Sequence, residues 1–118
     1  MRNYQKKKNN PYLLPKNLYA ECKYLIKDYD RLKEEYTRLT NCDDEERNFA
    51  LLCTVAAKIS AVETALDLIP EVYRDGVFNN LINERTKSGY YPINADFRTY
   101  QNYKQRFIYF VAKNMNYV

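Results

Sequence analysis

KNLYAECKYLIKDYDRLKEEYTRL, residues 16–39, decides the fold class. Its apolar positions Leu18, Cys22, Leu25, Tyr29, Leu32, Tyr36 and Leu39 are separated by alternating steps of four and three residues. Only an α-helix brings such positions onto one stripe, and a repeat of seven makes that stripe a coiled-coil seam. Lys23, Lys27, Asp30, Arg31, Glu34 and Glu35 fall outside the stripe. Pro15 suits the first turn, because it has no N–H to leave unbonded there.

Working outward, Thr40-Asn41-Cys42-Asp43-Asp44 breaks the pattern. Asp43 or Asp44 can cap a second helix, and Glu45 and Glu46 suit its positive end. That helix, roughly 44–69, repeats the seam through Leu52, Val55, Ile59, Val62, Leu66 and Ile69. Two seamed helices joined by a short polar loop fold back as an antiparallel hairpin, or pair between chains; the pattern fits both. Pro70 ends the second helix and opens a third over 71–84, with Val72, Tyr73, Val77, Phe78 and Leu81 as its core candidates. Gly76 in its interior fits close helix packing. After a basic, aromatic connection over 85–95, Asn94 or Asp96 caps a last helix running to Asn114. Its Tyr100, Tyr103, Phe107, Phe110 and Val111 share one side. The fold expectation is all-α: a basic flexible arm over 1–14, a helical hairpin over 15–69, and a helix-turn-helix-like unit over 70–118.

Composition narrows the chemistry. The 118 residues make one domain and contain no histidine, which removes the commonest general base and neutral metal ligand. Cys22, Cys42 and Cys53 lack metal-site spacing, and an odd count argues against a disulfide framework. Cys22 and Cys53 lie on or beside apolar stripes, where a thiol packs as a small core residue. The acidic run Asp43–Glu46 has no glycine for a calcium-type loop and reads as a helix start. No phosphate loop, nucleophile elbow or zinc spacing occurs. The expectation is a protein that is not an enzyme and uses no metal or cofactor. The short patch Tyr12-Leu13-Leu14 is too brief for a signal sequence, and no membrane span is expected, so the cytoplasm is the expected location.

Charge is segregated. Residues 1–16 hold five bases and no acid, residues 17–84 hold eight bases against fourteen acids, and residues 85–118 hold six bases and one acid. Basic ends on an acidic middle suggest a polyanion-binding face. The polar side of the last helix carries Arg98, Gln101, Asn102 and Gln105, with Tyr109 beside them. Arg, Gln and Asn make paired hydrogen bonds to base edges in the major groove, so these four are the candidate base contacts. Lys6, Lys7, Lys8, Arg85, Lys87, Lys104 and Arg106 are the candidate phosphate contacts. From pattern alone, an ordinary solvent-facing helix surface fits the same residues.

The strings Ala65-Leu66-Asp67-Leu68-Ile69-Pro70-Glu71-Val72-Tyr73-Arg74, Tyr91-Pro92 and Thr99-Tyr100-Gln101-Asn102-Tyr103-Lys104-Gln105-Arg106-Phe107-Ile108-Tyr109 resemble the RinA/ArpU-type transcriptional regulators of phages and prophages. The opening Asn10-Pro11-Tyr12-Leu13-Leu14-Pro15 is similar to the start of many of them. The resemblance implies a sigma-factor-like helix-turn-helix with 71–84 as support and 96–114 as recognition helix. It also implies double-stranded DNA as partner, with host RNA polymerase and a second copy of the chain as further candidates. The sequence departs from the family at Tyr103, where tryptophan is expected, and at 85–95, which is short and rich in Tyr, Pro and Gly. The rival expectation is a small phage-encoded interaction module that occupies a host protein.

Overall fold

The protein is all-α. A computed structural model describes residues 5–41, 45–82 and 97–118, and the described residues form five helices and no strand: α1 (Lys16–Lys27), α2 (Tyr29–Thr40), α3 (Glu45–Asp67), α4 (Glu71–Ile82) and α5 (Phe97–Asn114). The acidic run expected at the start of α3 lies largely outside the described residues.

The stretch 16–39 is helical nearly throughout, but it is two helices. Asp28 sits between them at φ −89°, ψ 2°, off the helical values. The hydrogen-bond ladder still passes through it: Asp28 N–H donates to the Tyr24 carbonyl (3.0 Å), and Leu32 N–H donates to the Asp28 carbonyl (3.0 Å). Arg31 bonds the Asp28 carboxylate and, at 2.9 Å, Glu35. That guanidinium holds the Asp28 carboxyl below its usual range. The single seam read from the sequence therefore divides. α2 keeps it, packing antiparallel on α3 through Leu32 and Leu39 against Leu52, Val55 and Ile59. α1 instead packs on α5 and α4. Its buried residues are Tyr19, Cys22, Lys23 and Ile26, one helical face rotated from the Leu18–Cys22–Leu25 stripe. The expected hairpin over 15–69 is thus α2 against α3 alone, because a helix with two neighbours buries a different face from a helix with one.

The main core gathers Tyr19, Cys22 and Ile26 of α1, Val62 and Ala65 of α3, Val77 and Leu81 of α4, and Tyr100, Phe107, Ile108, Val111 and Ala112 of α5. Four helices supply it, and α5 packs against α1, α3 and α4 alike. The last helix is therefore the centre of the domain as much as its surface. Its end is fixed twice. Asn114 Nδ2 donates to the Ala61 carbonyl of α3 (3.1 Å). Asn116 takes the left-handed conformation (φ 62°), with Tyr117 N–H bonded to the Ala112 carbonyl and Asn116 N–H to Lys113. This is the Schellman arrangement, which satisfies carbonyls the helix end would leave open.

The α3–α4 corner is closed by Arg74, whose guanidinium donates to the carbonyls of Ile69 (2.8 Å) and Asp67 (2.9 Å). Gly76 is buried in α4, in keeping with close helix approach. Val72, expected in the core, is 60% exposed, because Val77 and Leu81 define the inward face. Cys53 also departs from expectation: Cys22 is buried, but Cys53 points outward from α3, one residue off the Leu52–Val55 seam. The stretch Asn48–Asp67 is, by length and composition, apolar enough to cross a membrane, contrary to the expectation that none is. Its two charges before Asp67, Lys58 and Glu63, lie toward α1 and α2, and Tyr29 donates its hydroxyl hydrogen to Glu63 (2.9 Å).

Candidate nucleic-acid interface

The candidate site is built on the N-terminal half of α5. On a helix of 3.6 residues per turn, Arg98, Asn102 and Arg106 line up along one ridge of about 12 Å. All three are exposed, and Gln101 and Lys104 are half-buried beside them. The opposite side of the same turns holds Tyr100, Phe107 and Ile108 in the core, so the ridge is held in place by some of the best-packed residues in the molecule.

Gln105 is a correction. Only 9% of it is exposed, so it does not reach a base edge. Its Nε2 donates to the Tyr12 carbonyl (2.8 Å) and to Gln5 Oε1 (2.9 Å). The physical reason is the N-terminal segment, which lies across this face of α5. Gln5 grips Leu14 in both directions: Gln5 Nε2 donates to the Leu14 carbonyl (2.9 Å), and Leu14 N–H donates to Gln5 Oε1 (2.8 Å). Asn10 shapes the turn between them, its Oδ1 accepting from Tyr12 N–H (2.9 Å) and its Nδ2 donating to the Lys6 carbonyl (2.7 Å). Asn9 adopts a left-handed conformation at φ 55°, one of the few non-glycine residues to tolerate it. Residues 5–14, expected as a flexible arm, are thus tied down as a turn against α5.

Aromatic contacts complete the attachment. The Tyr12 ring meets Tyr109 edge-on at 5.4 Å and Phe110 at 5.8 Å. The Arg106 guanidinium lies 5.3 Å from the Tyr12 ring and 5.3 Å from the Tyr103 ring. Tyr103 in turn stacks on Tyr73 of α4 at 4.7 Å. Two aromatic faces therefore hold one cation at the surface, and such cation–π contacts contribute about 0.5–2 kcal/mol each. Tyr103, at the position where the family resemblance expects tryptophan, has a clear packing role.

Between the turn and α5 lies a cavity of about 630 Å³, lined by Lys6, Asn9, Asn10, Arg98, Gln101, Asn102 and Arg106 among others. No carboxylate is among the described residues that line it. The structure therefore brings together Lys6, Arg98, Gln101, Asn102, Gln105 and Arg106 of the sequence-read candidates. Lys7 and Lys8 stand exposed on the adjoining turn, and Lys104 is half-buried on α5. Arg85 and Lys87 lie outside the described residues. Sequence reasoning missed Gln5, Asn9, Asn10 and Tyr12. The signal for them was the turn pair Asn9-Asn10 followed by an apolar patch, which marks a docked turn as well as it marks a linker.

Among the described residues, no group of three Cys, Asp or Glu converges as a metal site. α4 and α5 pack together in the order a helix-turn-helix requires, with residues 83–96 between them, where the simple motif has a turn of about 3–4 residues. No protein-family model, curated protein or solved structure matches the chain.

Proposed function

We propose that this protein is a sequence-specific DNA-binding transcriptional regulator of phage or prophage origin, of the RinA/ArpU type, without catalytic activity. One observation carries the reading: exposed Arg98, Asn102 and Arg106 share a ridge of α5 with Lys6, Lys7 and Lys8 close by, and no carboxylate lies among the described residues of the cavity between them. A helix about 10–12 Å across fits the major groove, about 12 Å wide, and would present this ridge along it. Arg98, Asn102 and half-buried Gln101 supply the base-reading groups, while Lys6, Lys7, Lys8, Lys104 and Arg106 supply the phosphate contacts. In this reading Gln105 sets the position of the basic turn and leaves base recognition to its neighbours. Host RNA polymerase is the natural second partner of such a regulator, and a dimer would let two weak half-sites act together.

The test is fluorescence anisotropy of a labelled duplex from the chain's own upstream DNA, with random duplex as control, across a salt series. Specific binding should weaken steeply with salt, because each neutralised phosphate releases a counterion. Arg98→Ala should reduce selectivity, and Lys7→Ala should weaken all duplexes alike. Binding that ignores both salt and sequence would sink the proposal.

A second reading, a module that binds another protein, has its own observation. Phe49 (65% exposed), Cys53 and Ala57 follow one another along the outer side of α3, an apolar strip with no charge among its described residues. An interface there would be insensitive to the same salt series.

A further inference from the structure

The cavity between the N-terminal turn and α5 is more than a basic surface. At about 630 Å³ it lies within the range of roughly 300–1,000 Å³ typical of small-molecule sites. A face that only touched DNA phosphates would need no concavity. The backbone of its N-terminal wall is also fixed before any ligand arrives. Gln5 and Leu14 close the base of the turn, Asn10 holds the tip, and Gln105 bolts the turn to α5 from beneath. Arg106 is clamped between the rings of Tyr12 and Tyr103. A frame fixed in this way lowers the ordering cost of binding to that of the exposed Lys6, Arg98 and Asn102 side chains.

The chemistry of the lining selects the ligand. Lys6, Arg98 and Arg106 provide three cations. Guanidinium groups bind phosphate oxygens in pairs, with charge-assisted hydrogen bonds about twice as strong as neutral ones. Beside them Gln101 and Asn102 line the cavity with primary amides, each offering a donor and an acceptor together. That paired pattern complements the edge of a nucleobase. Inorganic phosphate would use the cations and leave the amides and most of the volume unfilled. An uncharged nucleoside would do the reverse.

We propose that this cavity binds a phosphorylated nucleotide, with its phosphate on Lys6, Arg98 and Arg106 and its base edge on Gln101 and Asn102. The nucleotide is either free or the terminal residue of a single strand. The inference stands on the cavity and does not require duplex recognition, although both use Arg98 and Arg106. If both hold, nucleotide and duplex compete, and each lowers the other's affinity by the same factor.

The experiment is equilibrium dialysis of the full chain at low salt against each of the four 5′-mononucleotides. Adenosine, inorganic phosphate and a 5′-phosphorylated dinucleotide serve as comparisons. At least one mononucleotide should saturate the protein below about 1 mM, with adenosine and inorganic phosphate each at least about tenfold weaker. Arg98→Gln, at an exposed position, should weaken that binding at least about tenfold. Lys113→Gln, an exposed cation on the same helix away from the cavity, should leave it unchanged. Because Arg106 also braces two rings, Arg98→Gln is the deciding variant, with its helicity checked by circular dichroism. A dinucleotide at least about tenfold tighter than the mononucleotide would identify a strand end as the source; equal affinity would identify the free nucleotide. Saturation by no mononucleotide, equal binding of adenosine, or an equal loss in Lys113→Gln would overturn the proposal. Duplex anisotropy on the same preparation reads the other proposal separately, so the failure of one is not mistaken for the failure of the other.

Discussion

The two ends of α3 are one helix in two environments. Its C-terminal half, through Val62 and Ala65, enters a core shared with α1, α4 and α5. Its N-terminal half packs on α2, and there the described buried residues are Leu32, Leu39 and Val55. The heptad pattern is as regular in one half as in the other. What differs is the number of neighbours, and with it the area removed from water. At about 25 cal/mol per Å² of apolar surface, a residue enclosed on all sides gains much more than one covered by a single partner. The hairpin of α2 and α3 should therefore open more easily than the bundle, as a local unit of lower stability. The basic turn and α5 ridge belong to the stable end, which is where a pre-formed site is best placed.

The largest test of this contrast is Phe107→Ala. Phe107 is fully buried at the centre of α5, and its truncation should cost about 3–5 kcal/mol by denaturant unfolding, with the whole domain affected. A smaller loss would mean that α5 is not the centre of the core. Leu32→Ala in the hairpin should cost about 2–3 kcal/mol, near the low end for such truncations, since the pocket it leaves can collapse or hydrate. Hydrogen exchange should quicken in α2 and in α3 up to about Ile59, and stay slow in α5. Exchange that quickens equally in all helices would break the comparison by showing one cooperative unit.

A third test uses pH. Burial, and secondarily the neighbouring Glu21, pushes the Cys22 thiol from 9.0 up to about 11. The folded state thus favours the neutral thiol. The resulting stability is fully present below about pH 9 and is lost as pH rises toward 11, amounting to about 2–3 kcal/mol. Cys22→Ala should flatten the decline between those values in a pH series of denaturant melts; an unchanged slope would show that another group carries it. Tyr29 is the neighbour to separate from it. Its hydroxyl is pushed up to about 12 by burial and by its bond to Glu63, so it loses its contribution above pH 10.

The smallest expected effect is the most informative about the site. Gln105→Ala removes two hydrogen bonds to the N-terminal turn, at about 1–2 kcal/mol, while leaving the core intact. Limited proteolysis should then cut within residues 6–13 faster, with α5 still protected. If duplex selectivity fell while proteolysis stayed the same, Gln105 would be a base contact after all.

Much of this fold was legible from spacing. The seam of α3, the break at Pro70 and the last helix all follow from periodicity and turn residues, and the described bounds of α3, α4 and α5 fall within a few residues of those expected. The divided stripe was not legible. Tyr19 and Ile26 look like off-stripe residues until α5 is known to lie against α1. Nor was the burial of Gln105, since it depends on a turn about a hundred residues earlier in the chain.

What the sequence by itself determined is the helical class, the order of the helices and the concentration of cations at both chain ends. Each is a property of neighbouring residues or of composition, set by helix geometry and by the charges present. What only the tertiary structure decided is which face of each helix is inside and which polar residues remain free for a ligand. Those depend on contacts between segments far apart in the chain. A side chain such as Gln105, polar on a polar stripe, becomes a buried clamp because a distant turn supplies the acceptors that its amide needs.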